Sequence, residues 1–177
     1  MKVIKWLFII VVALVALFVG VGLILGTDYE LSRSVVINAP ADKIHPLVEN
    51  LEKWDSWTPW KDGDPNLKVT IGEQKSGAGA RQTWDGDSGK GELELTRSDP
   101  MAGVDYKMAF IIDENTKAES VGSFKYEKAE SGTKVTWYMK GSMPMPVLGG
   151  YLAKMMDSFT GPKFEIGLNR LKVAAEK

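Results

Sequence analysis

Two adjacent stretches decide the fold: residues 132–141, GTKVTWYMKG, and residues 146–177, PVLGGYLAKMMDSFTGPKFEIGLNRLKVAAEK. The first alternates. Val135, Trp137 and Met139 fall on one side and Lys134, Thr136 and Lys140 on the other, the period of a strand with one buried face. In the second, Leu148, Leu152, Met155, Met156, Phe159, Ile166, Leu168 and Leu171 recur mostly at mixed helical spacings of three, four and seven, which predicts a long helix with one buried side. Gly161-Pro162 predicts its only break, because proline inside a helix removes a hydrogen bond. The helix needs a surface to cover it. The preceding chain supplies mainly strands, so the expectation is a curved sheet wrapped around the C-terminal helix.

The strands are legible one by one. Residues 29–37, YELSRSVVI, end in β-branched residues and predict a first strand. Pro40 suits the first turn of a helix, with Asn38 or Ala39 as its cap. Ile44, Leu47, Val48 and Leu51 continue at helical spacing, and Pro46 predicts a split into two short helices. Trp54, Trp57 and Trp60 lie within seven residues. Then come strands at Leu67–Ile71, Ala80–Asp85, Glu92–Thr96, Val104–Ile112 and Ala118–Tyr126, separated by Gly-, Asp- and Asn-rich turns. With residues 132–141 this makes seven strands, joined by tight turns and therefore antiparallel neighbours.

Ahead of all this lies Trp6 to Gly26, WLFIIVVALVALFVGVGLILG, 21 residues without a charge. At about 1.5 Å per residue such a helix crosses a hydrocarbon core of about 30 Å. A secretory signal is the rival reading. Its apolar core is typically about 7–15 residues and ends in a small-x-small site; this run is longer and lacks Ala-x-Ala before Thr27. The expected organisation is a transmembrane anchor over 1–26 and one domain over 27–177. Lys2 and Lys5 place the N-terminus in the cytoplasm and the domain outside it, in the periplasm if the source is a Gram-negative bacterium.

Composition narrows the function classes. There is no cysteine, which excludes disulfides, thiolate chemistry and cysteine-ligated metal. Without Lys2 and Lys5 the chain keeps 20 basic against 23 acidic residues, a net charge of −3, with no basic block. Nucleic-acid binding lacks its electrostatic footprint. His45 is the single histidine and reads as structural or surface-exposed. Gly72–Gly79 and Gly86–Gly91 join strands rather than open helices, so they do not read as phosphate loops. No cofactor is expected.

The chain resembles the START-like (SRPBCC) superfamily, in its polyketide cyclase/dehydrase-like branch. The resemblance is carried by Val36-Ile37-Asn38-Ala39-Pro40, Trp54-x-x-Trp57-x-Pro59-Trp60, Gly132-Thr133-Lys134-Val135-Thr136-Trp137, and Gly161-Pro162-Lys163-Phe164-Glu165-Ile166-Gly167-Leu168-Asn169-x-Leu171-Lys172. It implies an α+β helix-grip fold: a seven-stranded antiparallel curved sheet around a long C-terminal helix, here preceded by one transmembrane helix. It also implies a hydrophobic ligand between sheet and helix, with catalysis only in some members.

Inward strand positions and the helix then nominate a ligand lining of Trp57, Trp60, Trp84, Tyr106, Met108, Phe110, Trp137, Met139, Met155 and Phe159. Gln82 and Tyr106 are candidates for polar contacts inside. Met143-Pro144-Met145-Pro146 reads either as a flexible apolar gate or as a helix lead-in. The acidic residues Asp85, Glu92, Glu94, Asp105 and Glu119 fall on outward positions or turns, so no acid/base pair converges. The leading expectation is a membrane-anchored domain binding a hydrophobic small molecule or lipid. A cyclase- or dehydratase-like enzyme and a solid-core partner-binding domain remain open beside it.

Overall fold

A computed structural model describes residues 2–177. Its elements run α1 (Lys2–Ile24), β1 (Asp28–Ile37), α2 (Ala41–Val48), α3 (Leu51–Trp54), α4 (Trp60–Gly63), β2 (Lys68–Ile71), β3 (Arg81–Gly86), β4 (Gly89–Asp99), β5 (Gly103–Ile111), β6 (Lys117–Ala129), β7 (Gly132–Ser142) and α5 (Leu148–Ala175). The strands form one antiparallel sheet in the order β1-β7-β6-β5-β4-β3-β2. Only the closure of β1 onto β7 is non-sequential, and it pairs Leu31 with Met139 and Ile37 with Thr133. A register shift between Leu95 and Arg97 marks a bulge in β4. The fold is the expected α+β arrangement: a curved sheet, a long C-terminal helix and an apolar N-terminal helix.

Two helix boundaries differ from expectation. Pro40 itself occupies the cap of α2 and no side chain caps it. The split in the following helix comes not at Pro46 but after Val48, where the Asn50 side chain accepts from Glu52 N–H at 2.9 Å and opens α3.

The larger corrections concern α5. It is continuous through Gly161-Pro162. Pro162 lacks the N–H that would bond the Ser158 carbonyl, and Ser158 lies on the exposed side, where water can satisfy it. The eight apolar residues expected on one buried face are also split: Leu168 and Leu171 are buried and Met156 packs against the core. Leu148, Met155, Phe159 and Ile166 are exposed. The buried side consists of Gly149, Gly150, Ala153, Gly161, Phe164, Gly167, Leu168, Leu171 and Ala175. Small residues let the helix backbone approach the sheet closely, and Phe164, Leu168 and Leu171 fill the far half. Polar clamps run along β1. Arg33 donates to Asp157 Oδ1 at 2.8 Å and to Glu165 Oε1 at 2.6 Å, and Lys172 Nζ donates to the Val36 carbonyl at 2.8 Å.

The start of α5 also meets α1. Phe18 and Tyr151 stack with centroids 4.7 Å apart, and the Tyr151 hydroxyl donates to the Phe18 carbonyl at 2.8 Å. A side chain at Gly22 would overlap Val147 and Tyr151, so the glycine permits this docking. Val147, just before α5, has φ 62°, a region that β-branched residues rarely occupy.

Candidate functional site

One half of the grip is solid. Trp57 is fully buried and meets Trp54 at 5.5 Å, Phe124 at 5.6 Å and Trp137 at 5.7 Å between ring centroids. Phe164 of α5 stacks on Trp137 at 3.9 Å with the planes 5° apart. Every buried indole N–H here has an acceptor: Trp54 donates to the Val48 carbonyl at 2.7 Å, Trp57 to the Leu47 carbonyl at 3.0 Å and Trp137 to the Tyr106 hydroxyl at 2.9 Å. Burial pushes the Tyr106 hydroxyl far above its ordinary range, so it stays neutral. Four nominated residues, Trp57, Tyr106, Trp137 and Met139, are therefore packed core in this structure.

The other half is open. Trp84 of β3 and Phe110 of β5 meet edge to face at 5.2 Å, and Phe110 remains 40% exposed. The Trp84 ring lies directly over Gly91, where a side chain would overlap it. Met108 is half-buried on the same inward row of β5. Trp60 is half-buried at the edge of the packed half, 6.0 Å from Trp137 on one side and under Lys163 Nζ at 5.8 Å on the other. Met155 and Phe159 belong to neither group. They lie on the exposed side of α5.

The open end of the inner face coincides with the start of α1's successor strand. Antiparallel pairing brings together the start of β1, the end of β7, the start of β6 and the end of β5. Trp84 and Phe110 therefore sit at the end of the sheet where the chain arrives from α1.

A wide open depression of about 1090 Å³ also crosses the sheet. Of the ten nominated residues only Met108 lines it. Two of its carboxylates are paired: Arg81 and Lys107 both reach Glu94, at 2.9 and 3.2 Å, and Lys117, from outside the lining, reaches Glu92 at 2.6 Å. The Lys117 ammonium holds the Glu92 carboxyl below its usual range. A second depression, about 490 Å³, lies at the opposite end beside Pro40, Met101 and Tyr126 and includes none of the ten.

Sequence reasoning missed one polar cluster. His45 is buried, with Nε2 3.1 Å from Ser98 Oγ and 3.4 Å from Glu49 Oε2, and Ser98 Oγ donates to Glu49 at 3.0 Å. The i,i+4 spacing of His45 and Glu49 was readable, but Ser98 comes from a distant strand. Serine and acid both approach the same ring nitrogen, and Nδ1 has no partner among the described residues. That is not the relay of a serine–histidine–acid triad, in which the acid orients the opposite nitrogen. Among the described residues no group of His, Asp and Glu is arranged to hold a metal ion.

Comparison with known proteins agrees with the topology. Solved structures with the same fold include a Helicobacter pylori protein (15% identity, TM-score 0.62, covering 84% of this chain and 89% of that one) and a protein from Chromobacterium violaceum (13%, 0.57, 84% and 97%). The di-domain aromatase/cyclase StfQ of the steffimycin biosynthetic pathway also aligns, at 13% identity and TM-score 0.61, covering 85% of this chain and 52% of that one. At these identities the likeness is one of fold. No curated protein matches the sequence. The family model described as polyketide cyclase / dehydrase and lipid transport matches residues 29–176, nearly everything after the apolar N-terminal helix. The chain belongs to the polyketide cyclase/dehydrase and lipid transport family.

Proposed function

We propose that this protein is a membrane-anchored binding domain for a hydrophobic small molecule or lipid, taken up at the open end of the grip. The supporting observation is the Trp84–Phe110 pair. Two large aromatics and Met108 stay partly exposed on the inward side of the sheet, while the rest of that side is packed solid. Placing an apolar ligand there removes the aromatic surface from water, at roughly 25 cal/mol per Å² covered. Trp57, Tyr106, Trp137 and Met139 act as the rigid wall behind the ligand rather than as its first contacts.

The anchor is α1. Val3–Ile24 is long and apolar enough to span a bilayer, with mean hydropathy 3.2, and it is almost wholly unburied by the rest of the chain. Lys2 and Lys5 orient it with the N-terminus in the cytoplasm and residues 27–177 outside.

Binding is favoured over a cyclase-like reaction by the groups near the open end. Lys117 holds the Glu92 carboxyl below its usual range, and burial pushes the Tyr29 hydroxyl above its ordinary range. Neither is poised to move a proton near neutral pH. The test is native mass spectrometry of the full chain released from nanodiscs. A co-purifying lipid or apolar small molecule, lost in Trp84→Ala/Phe110→Ala, supports the proposal. Only ligand-free protein, or an adduct indifferent to those substitutions, refutes it.

A further inference from the structure

The exposed side of α5 is not a random surface. Leu148, Leu152, Met155, Phe159, Ile166 and Val173 follow one another at steps of four, three, four, seven and seven, which keeps them on one side of a helix. That side lies opposite Ala153, Asp157, Phe164, Leu168 and Leu171, which face β1 and β7. Leu148, Met155 and Phe159 are 47%, 45% and 55% exposed. A stripe of that regularity would ordinarily be the buried face of a helix. Here the glycines and Phe164 take the buried side, and among the described residues Leu148, Met155, Phe159, Ile166 and Val173 of the stripe stay exposed.

The docking of α1 identifies what covers it. Phe18 precedes the end of α1 by six residues, about 9 Å along a helix. It stacks on Tyr151, in the first turn of α5, and accepts that residue's hydroxyl hydrogen bond. The medium that surrounds the apolar sides of α1 at the depth of Phe18 therefore also surrounds the first turns of α5. The connection is short as well: from Ile24 to Asp28 the chain spans at most about 14 Å. Exposed Lys154 flanks the stripe, as cations do on helices lying in an anionic lipid surface.

We propose that the first three turns of α5 form an interfacial membrane segment, with Leu148, Leu152, Met155 and Phe159 seated in the outer edge of the bilayer that holds α1. This rests on the reading of α1 as an anchor, and it adds a second, non-spanning contact. The consequence is geometric: the open end of the grip, with Trp84 and Phe110, is held at the lipid surface, so an apolar ligand can pass between bilayer and domain with little exposure to water.

The absence of native cysteine makes the test direct. Single variants Leu14→Cys, Leu148→Cys, Met155→Cys, Phe159→Cys and Glu127→Cys of the full chain carry an environment-sensitive fluorophore. They are placed in vesicles of phosphatidylcholine and phosphatidylglycerol, without spin-labelled lipid, with lipid labelled at mid-chain, or with lipid labelled near the headgroup. The expected result is loss of emission at 14 with the mid-chain label, at 148, 155 and 159 with the headgroup-proximal label, and with neither label at 127, on the outer face of β6. Quenching at 14 with 148, 155 and 159 as bright as 127 overturns the interfacial segment and leaves the anchor standing. No quenching at 14 overturns both.

Discussion

Gly167→Ala separates what helix propensity predicts from what the packing predicts. Gly167 lies in the interior of a 28-residue helix. By propensity alone, alanine there stabilises by about 0.8–1.0 kcal/mol. The structure points the other way. A Cβ at 167 would lie 2.9 Å from Trp137 Cζ3 and 3.5 Å from Pro59 Cδ. Trp137 has no room to retreat, since Phe164 stacks on it at 3.9 Å, Phe124 lies 4.8 Å away and its N–H is bonded to Tyr106. Forcing an extra carbon into such a core costs about 1–3 kcal/mol. The propensity gain offsets part of this, leaving a net loss of about 1 kcal/mol, or roughly 2–4 °C in Tm for a chain of this size. The assay is denaturant and thermal unfolding of the full chain in detergent, followed by tryptophan fluorescence. In a Trp137→Leu background the sign should reverse, because the obstructing ring is gone. Stabilisation by Gly167→Ala in the native background would refute the packing argument.

Three further outcomes follow from the same geometry. Tyr106→Phe removes the acceptor of the Trp137 N–H inside the core and should cost about 1–3 kcal/mol in the same unfolding assay, although no cavity is made. Trp57→Ala should cost about 3–5 kcal/mol as a fully buried truncation, whereas Phe110→Ala at the open end should cost less than half of that while weakening uptake of an apolar probe. Stability should be flat from neutral pH to about 5 and fall below about 4. Hydrogen bonds from Arg33 hold the Asp157 carboxyl low, and those from the Ser88 side chain and backbone do the same for Asp64, so their contributions are present above the unfolded carboxylate pKa and vanish as the folded groups protonate. Arg33→Met should abolish the part due to Asp157, read as a shallower acid limb in a pH–Tm profile.

The strands were legible because each alternates and ends at a turn residue. Trp137 and Met139 inward and Lys134 and Lys140 outward could have only one arrangement on a half-buried sheet. The orientation of α5 was not legible, because the reading assumed that the largest apolar residues mark the buried side. Gly149, Gly150, Ala153, Gly161 and Gly167 carry no such signal, yet a side chain would meet Met143 and Thr27 at Gly149, Leu25 at Gly150, Arg33 of β1 at Gly161 and Trp137 of β7 at Gly167. The same misreading placed Met155 and Phe159 in the ligand lining. Trp57, in the cluster after the short helices, and Trp84, on a strand, were both nominated for the lining. What separates them is how far they are covered: Trp57 is fully buried among Trp54, Phe124 and Trp137, whereas Trp84 is only partly buried beside the exposed Phe110. The pairing of His45 with Ser98 depends on the register of β4 beneath α2, which no local pattern specifies.

The central claim is that an apolar ligand contacts the inner face at the Trp84–Phe110 end. A benzophenone amino acid at Phe110, with a second at Glu127 on the outer face as control, tests this in the full chain. The protein is irradiated in native membranes and the products are read by intact and peptide mass spectrometry. The account predicts a discrete lipid or apolar small-molecule adduct at 110 and none at 127. The absence of an adduct at 110, or equal labelling at both positions, would contradict it.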